Sequence, residues 1–131
     1  MMDILKKINA KKIFAGQNAE QQACKYLEKK GFTLLTRNYR CRSGEIDLIM
    51  QDCEEIVFVE VRVRNNLDFG SAVESVNYQK QQKIIKTANT FLSHKNWVDK
   101  VNCRFDVIGI SYANTKASLE WIKDAFTAHN F

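Results

Sequence analysis

Between Gly44 and Arg64 the chain reads GEIDLIMQDCEEIVFVEVRVR, two apolar runs about a polar turn, with Asp47, Glu60, Arg62 and Arg64 set inside the runs. Side chains alternate faces along a strand. On the second run Ile56, Phe58, Glu60, Arg62 and Arg64 therefore share one face, and Val57, Val59, Val61 and Val63 the other. On the first run Glu45, Asp47 and Ile49 fall together. A hairpin that turns near Cys53 sets Asp47 opposite Glu60, so that two carboxylates and a guanidinium converge. An ionised group in a core costs several kcal/mol unless it is paired or binds metal. Two compensations suit these residues. One is structural, an ion pair of Asp47 or Glu60 with Arg62. The other is a hard divalent cation: magnesium takes one or two carboxylates and completes its oxygen shell with waters and substrate phosphates.

Periodicity predicts the elements that must hold these side chains. Over residues 15–30, Ala19, Ala23, Tyr26 and Leu27 recur at helical spacing, and Gly31 stands where that helix should end. Glu20 lies on or beside this apolar stripe, as a ligand or as a surface residue. GFTLLTRNYR gives a first strand near 32–40, GEIDLIM a second and EIVFVEVRVR a third. The third is nearly continuous in apolar residues up to Glu60, which calls for cover on both faces. After a polar loop with Gly70 comes a second helix, roughly 73–93, with Val76, Ile84, Ala88 and Phe91 as its inner stripe. Lys80 falls on the same line. Either its ammonium reaches the carboxylates or it snorkels out over apolar surface; Lys83, one turn on, is the second choice. CRFDVIGI predicts a fourth strand, 103–110, and LEWI a short edge strand. Arg104 and Asp106 share a face of the fourth strand, as an ordinary ion pair or as support for the carboxylates. The expectation is an α/β domain over 14–131 with a mixed sheet, preceded by a short basic segment, 1–13.

A chain of 131 residues suits one domain and buries a core without staples. No apolar run is long enough to cross a bilayer, and MMDILKKINAKK does not read as a signal peptide, so a cytoplasmic protein with no membrane partner is expected. Cys24, Cys41, Cys53 and Cys103 form no C-x-x-C pair, and only His94 and His129 could join them. Structural zinc and disulfides are both disfavoured, and reduced thiols are expected. The formal charge of +5 tilts the choice of partner toward polyanions.

GEIDLI followed by VFVEVRVR resembles the PD-(D/E)XK nuclease pattern, here Asp47 and then Glu60-Val61-Arg62. More specifically, the chain resembles the YraN family, small bacterial proteins related to archaeal Holliday junction resolvases. The matching pieces keep the family's order: Gly16 with Glu20 and Ala23, then RNYR, GEIDLI, FVEVRVR, FGSAVESV with Lys80, RFDVI and DAF, over about residues 14–126. The resemblance implies an α-β-β-β-α-β restriction-endonuclease-like core and a Mg2+- or Mn2+-dependent endonuclease acting on structured or branched DNA, with a homodimer allowed by analogy. Asp47 and Glu60 would hold the metal with the Val61 carbonyl, Glu20 would be the extra acidic ligand of resolvase-like members, and Arg62 would be the strand cation, with Lys80 as a substitute. Phosphate contacts would fall to Arg37, Arg40, Arg42, Arg62, Arg64 and Lys80, with the 65–71 loop as a wall. Tyr39, Phe69 and Tyr78 would be placed to stack on an unpaired base, although packing is the simpler role for each.

The sequence departs from the pattern at Arg62, where a lysine is usual. Arginine grips phosphate with two parallel bonds but does not give up its proton, so it cannot serve as a general base. Three readings follow: a metal-dependent endonuclease, a nucleic-acid-binding protein with a degenerate site, and a protein-interaction module.

Overall fold

In a computed structural model, residues 18–64, 72–112 and 118–128 are described. The basic segment 1–13, the 65–71 loop and Phe69 lie outside them. Helix α1 covers 18–29. Strands β1 (Thr33–Cys41), β2 (Gly44–Asp52) and β3 (Glu55–Arg64) follow, then a 3-10 turn (Ala72–Ser75), helix α2 (Tyr78–His94), β4 (Cys103–Ser111) and β5 (Ser118–Phe126). The five strands form one mixed sheet in the order β1-β2-β3-β4-β5. Only β3 and β4 run parallel. A parallel pair needs a crossover, which α2 provides. The α/β class and the order expected from sequence hold, with two changes. Helix α2 begins at Tyr78 rather than near 73, because the Asn77 side chain accepts the Lys80 N–H at 2.8 Å and caps the helix there. The edge strand expected at LEWI is longer, nine residues paired antiparallel with β4.

Each face of the sheet carries its own core. On one, Ala19, Ala23, Cys24 and Leu27 of α1 meet Leu48, Met50, Val57, Val59, Ile108 and Ile110. On the other, Ile84, Ala88, Phe91 and Leu92 of α2 meet Ile46, Ile49, Ile56, Phe58, Phe105 and Val107. This explains the unbroken apolar run of β3, which is covered on both sides. Gly31 ends α1 at φ 99°, a conformation open to glycine, and the Phe32 N–H then bonds back to the Leu27 carbonyl at 3.0 Å. The four cysteines are free, as expected.

Arg104 and Asp106 form a closed network on the α1 side. Arg104 Nε donates to Asp106 Oδ1 at 3.0 Å, and its Nη1 reaches Glu55 and Asp52. Asp106 also accepts the Trp121 indole N–H at 2.9 Å and the Asp124 N–H at 3.0 Å. Arg104 lies over Phe32, and in the parallel register Asp106 stands beside Val59 rather than Glu60. The pair is therefore structural. Breaking a buried pair leaves an uncompensated charge, so Asp106→Ala should lower unfolding stability by about 3–5 kcal/mol. Urea titration checks this value.

Candidate active site

The site sits where β2 leaves β3. Their register runs from Asp52↔Glu55 to Leu48↔Val59, about a turn in which Cys53 takes φ 55°. Asp47 and Glu60 would be the next pair, as the hairpin argument requires, but there the strands part. Residues Gly44, Glu45 and Ile46 pair with β1. Face alternation slips at the same point: Ile46 joins the α2-side core although Leu48 belongs to the α1 side. Across β1, Asn38, which stands between the paired Arg37 and Tyr39, adopts φ 50°. The Val61 N–H, left by the departing strand, is taken by the Asp47 carboxylate, with Oδ2 at 2.8 Å.

The opening holds a recess of about 190 Å³ lined by Gly44, Glu45, Asp47, Glu60, Lys80, Lys83 and Ile84. Gly44 has φ 152° and faces α2 so closely that a Cβ there would stand 3.2 Å from Thr87 Oγ1. Glu60 is only 6% exposed. Its Oε1 accepts from Lys80 Nζ at 3.0 Å and lies 3.6 Å from Arg62 Nη1. Burial pushes the Glu60 carboxyl up to about 7, helped by the charge of Asp47 and opposed by Lys80 and Arg62. Burial raises Asp47 as well, against the Val61 N–H bond. Glu20 is raised first by burial and then by the charge of Asp47. With its amide nitrogen turned toward them, Asn38 donates to Glu20 Oε2 at 3.1 Å and to Glu45 Oε1 at 3.2 Å.

The structure thus brings Asp47, Glu60 and Lys80 together and sets Glu20 within electrostatic reach. Lys80 does not snorkel away, and Lys83 joins it at the recess. Arg62 reaches Glu60 less closely and is held by Ser75, which sequence reasoning passed over. Asn38 was also missed; the usable signal was an asparagine inside a strand, one of the residue types that tolerates positive φ. Arg37, Arg40 and Arg42 are exposed along β1 and its turn, and Arg40 lies 3.4 Å from Glu45 at the rim. Arg62 and Arg64 follow Glu60 on β3, both partly exposed. Tyr39 is a packing residue, edge-on to Phe91 and bonded to His94. Tyr78 is 72% exposed.

Among the described residues no three His, Cys, Asp or Glu side chains form a ready-made metal cage. The donor set that the geometry brings together is smaller, two adjacent carboxylates, Asp47 and Glu60. Two adjacent carboxylates, both raised first by burial and one raised further by the charge of the other, suit a hard cation, which takes the remaining ligands from water and phosphate. The set fits magnesium or manganese and does not fit a closed structural site.

The raised Glu60 carboxyl has a consequence for metal-free protein. In the folded state it keeps its proton to about 7, against a starting value of 4.5. Between these values the folded chain binds more protons than the unfolded one, so stability falls as pH rises through the window. The full effect is about 3 kcal/mol at about 1.4 kcal/mol per pKa unit. Denaturant titrations from pH 4 to pH 8 should show this loss, and Glu60→Gln should flatten it.

The sequence comparisons agree with one another. The model of the uncharacterised protein family UPF0102 matches residues 19–110. A UPF0102 protein of Nitrosococcus oceani is 45% identical over 111 residues, covering 85% of this chain and 90% of its own. One from Stutzerimonas stutzeri is 48% identical over 113 residues, covering 86% and 93%. One from Legionella pneumophila is 46% identical over 113 residues, covering 86% and 94%. The match spans the carboxylate strands and both helices, and the chain belongs to the UPF0102 family, the YraN family of the sequence reading.

Proposed function

We propose that the protein is a metal-dependent endonuclease of the PD-(D/E)XK type that hydrolyses phosphodiester bonds in structured or branched DNA. The observation that carries this reading is the meeting of buried Glu60 with half-buried Asp47 at the splayed end of β2 and β3, with Lys80 on Glu60. A fold alone would not support it. An arrangement that costs stability in the absence of a cation is expected where a cation is part of the work.

Asp47, Glu60 and the Val61 carbonyl would hold Mg2+ or Mn2+, with Glu20 close enough to bear on the same charge. The ion supplies a water of lowered pKa and neutralises charge on phosphate oxygens. The chain does the rest. The Val61 N–H fixes the Asp47 carboxylate by one oxygen and leaves the other for the recess. Glu60 is fixed in the same way by Lys80. Lys80 and Lys83 set positive charge at the wall where the scissile phosphate would enter. In the reaction the water would give up a proton to solvent as its oxygen bonds to phosphorus, the bridging P–O bond would break, and the leaving oxygen would take a proton from solvent. Arg37, Arg40 and Arg42 along β1 would hold the flanking backbone by charge, which gives affinity without base readout.

The reading by which Arg62 has ended catalysis loses force because a lysine reaches Glu60 from α2. Among the described residues no helix is long and apolar enough to cross a membrane. Branched-DNA cleavage in Mn2+ should fall by about 100-fold or more in Asp47→Ala and in Glu60→Ala, with salt-sensitive DNA binding retained. Cleavage that survives both changes contradicts the proposal. Binding without cleavage in the wild type moves the function to the non-catalytic reading.

A further inference from the structure

Both cations near Glu60 could neutralise phosphate, but their surroundings differ. Arg62 spends its guanidinium on the chain: Nε donates to Ser75 Oγ at 3.1 Å and Nη2 to the Ser75 carbonyl at 3.1 Å. Its remaining Nη1 lies 3.6 Å from Glu60 Oε1. Lys80 Nζ stands closer, at 3.0 Å from the same oxygen, on a side chain that is 39% exposed. An ammonium has three donors. Among the described residues one serves Glu60, and two are left for an entering oxygen anion.

Ser75 and Lys80 are joined by a short, well-bonded path. Ser75 ends the 3-10 turn, and Val76 behind it is buried in the α2-side core. Asn77 caps α2 through the Lys80 N–H, and Gln81 Nε2 bonds back to the Val76 carbonyl at 2.9 Å. A guanidinium that grips Ser75 with two donors of one edge therefore sets the start of the helix that carries Lys80.

We infer that Lys80, from α2, is the cation that meets the scissile phosphate, and that Arg62, at the strand position of the motif, is a positioning residue that clamps Ser75 and so aims Lys80. The inference rests on the nuclease reading and assigns roles within it. It accounts for arginine at the strand position: lysine offers a point charge and lacks the rigid fork whose two donors hold Ser75. The departure from the pattern is then an exchange of duties, with the working charge moved to the neighbouring helix.

The test compares wild type, Lys80→Met, Lys80→Gln and Arg62→Lys by Mn2+ titration calorimetry, branched-DNA cleavage and backbone amide NMR of the metal-free protein. Lys80→Met and Lys80→Gln should each lose cleavage by about 100-fold. Both should bind Mn2+ about tenfold more tightly, because an ammonium no longer competes for Glu60. A purely structural lysine would not move metal affinity in that direction. Arg62→Lys restores the usual motif residue, yet should cleave about tenfold to a hundredfold more slowly through misplacement of Lys80. Its Mn2+ affinity should stay within about threefold of wild type, and its amide signals from Ser75 to Lys80 should shift. Arg62→Lys cleaving at or above the wild-type rate overturns the inference while the nuclease reading stands. So do Lys80 variants with unchanged cleavage and metal affinity. A wild type that binds Mn2+ without cleaving ends the nuclease reading, and tighter binding in the Lys80 variants then still supports the assignment of Lys80 to the ion site. A wild type that neither binds Mn2+ nor cleaves overturns both.

Discussion

Two neighbouring carboxylates, Glu60 buried and Asp47 half-buried, set the terms for the rest of this molecule. Asp47 and Glu60 lie where β2 and β3 separate, and neither is fully compensated by the protein around it. The Val61 N–H and the Lys80 ammonium each satisfy one of them in part. The net result still holds Glu60 near neutrality on the acid scale, at about 7. Two like charges at this separation from water cannot both ionise cheaply. The fold accepts that cost at one point and avoids it elsewhere. No described buried side-chain nitrogen or oxygen lacks a hydrogen-bond partner, and the deeper Arg104–Asp106 pair is closed on all sides.

That contrast separates a working charge from a structural one. Asp106 is fully buried, yet Arg104, Trp121 and the Asp124 N–H all bond to its carboxyl oxygens. Asp47 and Glu60 share an open recess with lysines on one wall. The two helices bear on Asp47 and Glu60 from opposite faces of the sheet: α2 lines the recess through Lys80 and Lys83, and α1 sets Glu20 within electrostatic reach of Asp47. The splay of β2 from β3 makes this meeting feasible, since a fully paired hairpin would separate the two faces.

Much of this was legible in the sequence because it follows from short-range rules. The all-apolar course of β3 called for helices on both faces, and both are present. Its alternation set Glu60 on the face of Phe58, and a tight turn at Cys53 brought Asp47 toward it. Lys80 on the inner line of α2 was visible as an anomaly before its partner was known. The illegible parts are breaks in those rules. Strict alternation put Ile46 on the wrong face, because β2 turns where it leaves β3 and Asn38 adopts a left-handed conformation beside it. The start of α2 moved from near 73 because the Asn77 cap outcompeted the apolar pattern that includes Val76. The partner of Arg62 was hidden because Ser75 is an unremarkable residue whose value lies in its place. No local pattern encodes such a contact.

The central claim is that Asp47 and Glu60 form a cation site held partly protonated until the ion arrives. The most direct measurement is Mn2+ titration calorimetry at pH 6.5, repeated in two buffers of different ionisation enthalpy. Metal binding to such a pair must displace protons. The expected result is binding whose apparent heat depends on the buffer, with proton release lost in Glu60→Gln. Binding with no proton release, or no binding at all, would contradict the account and leave the two carboxylates as an internal ion cluster closed by Lys80 and Arg62.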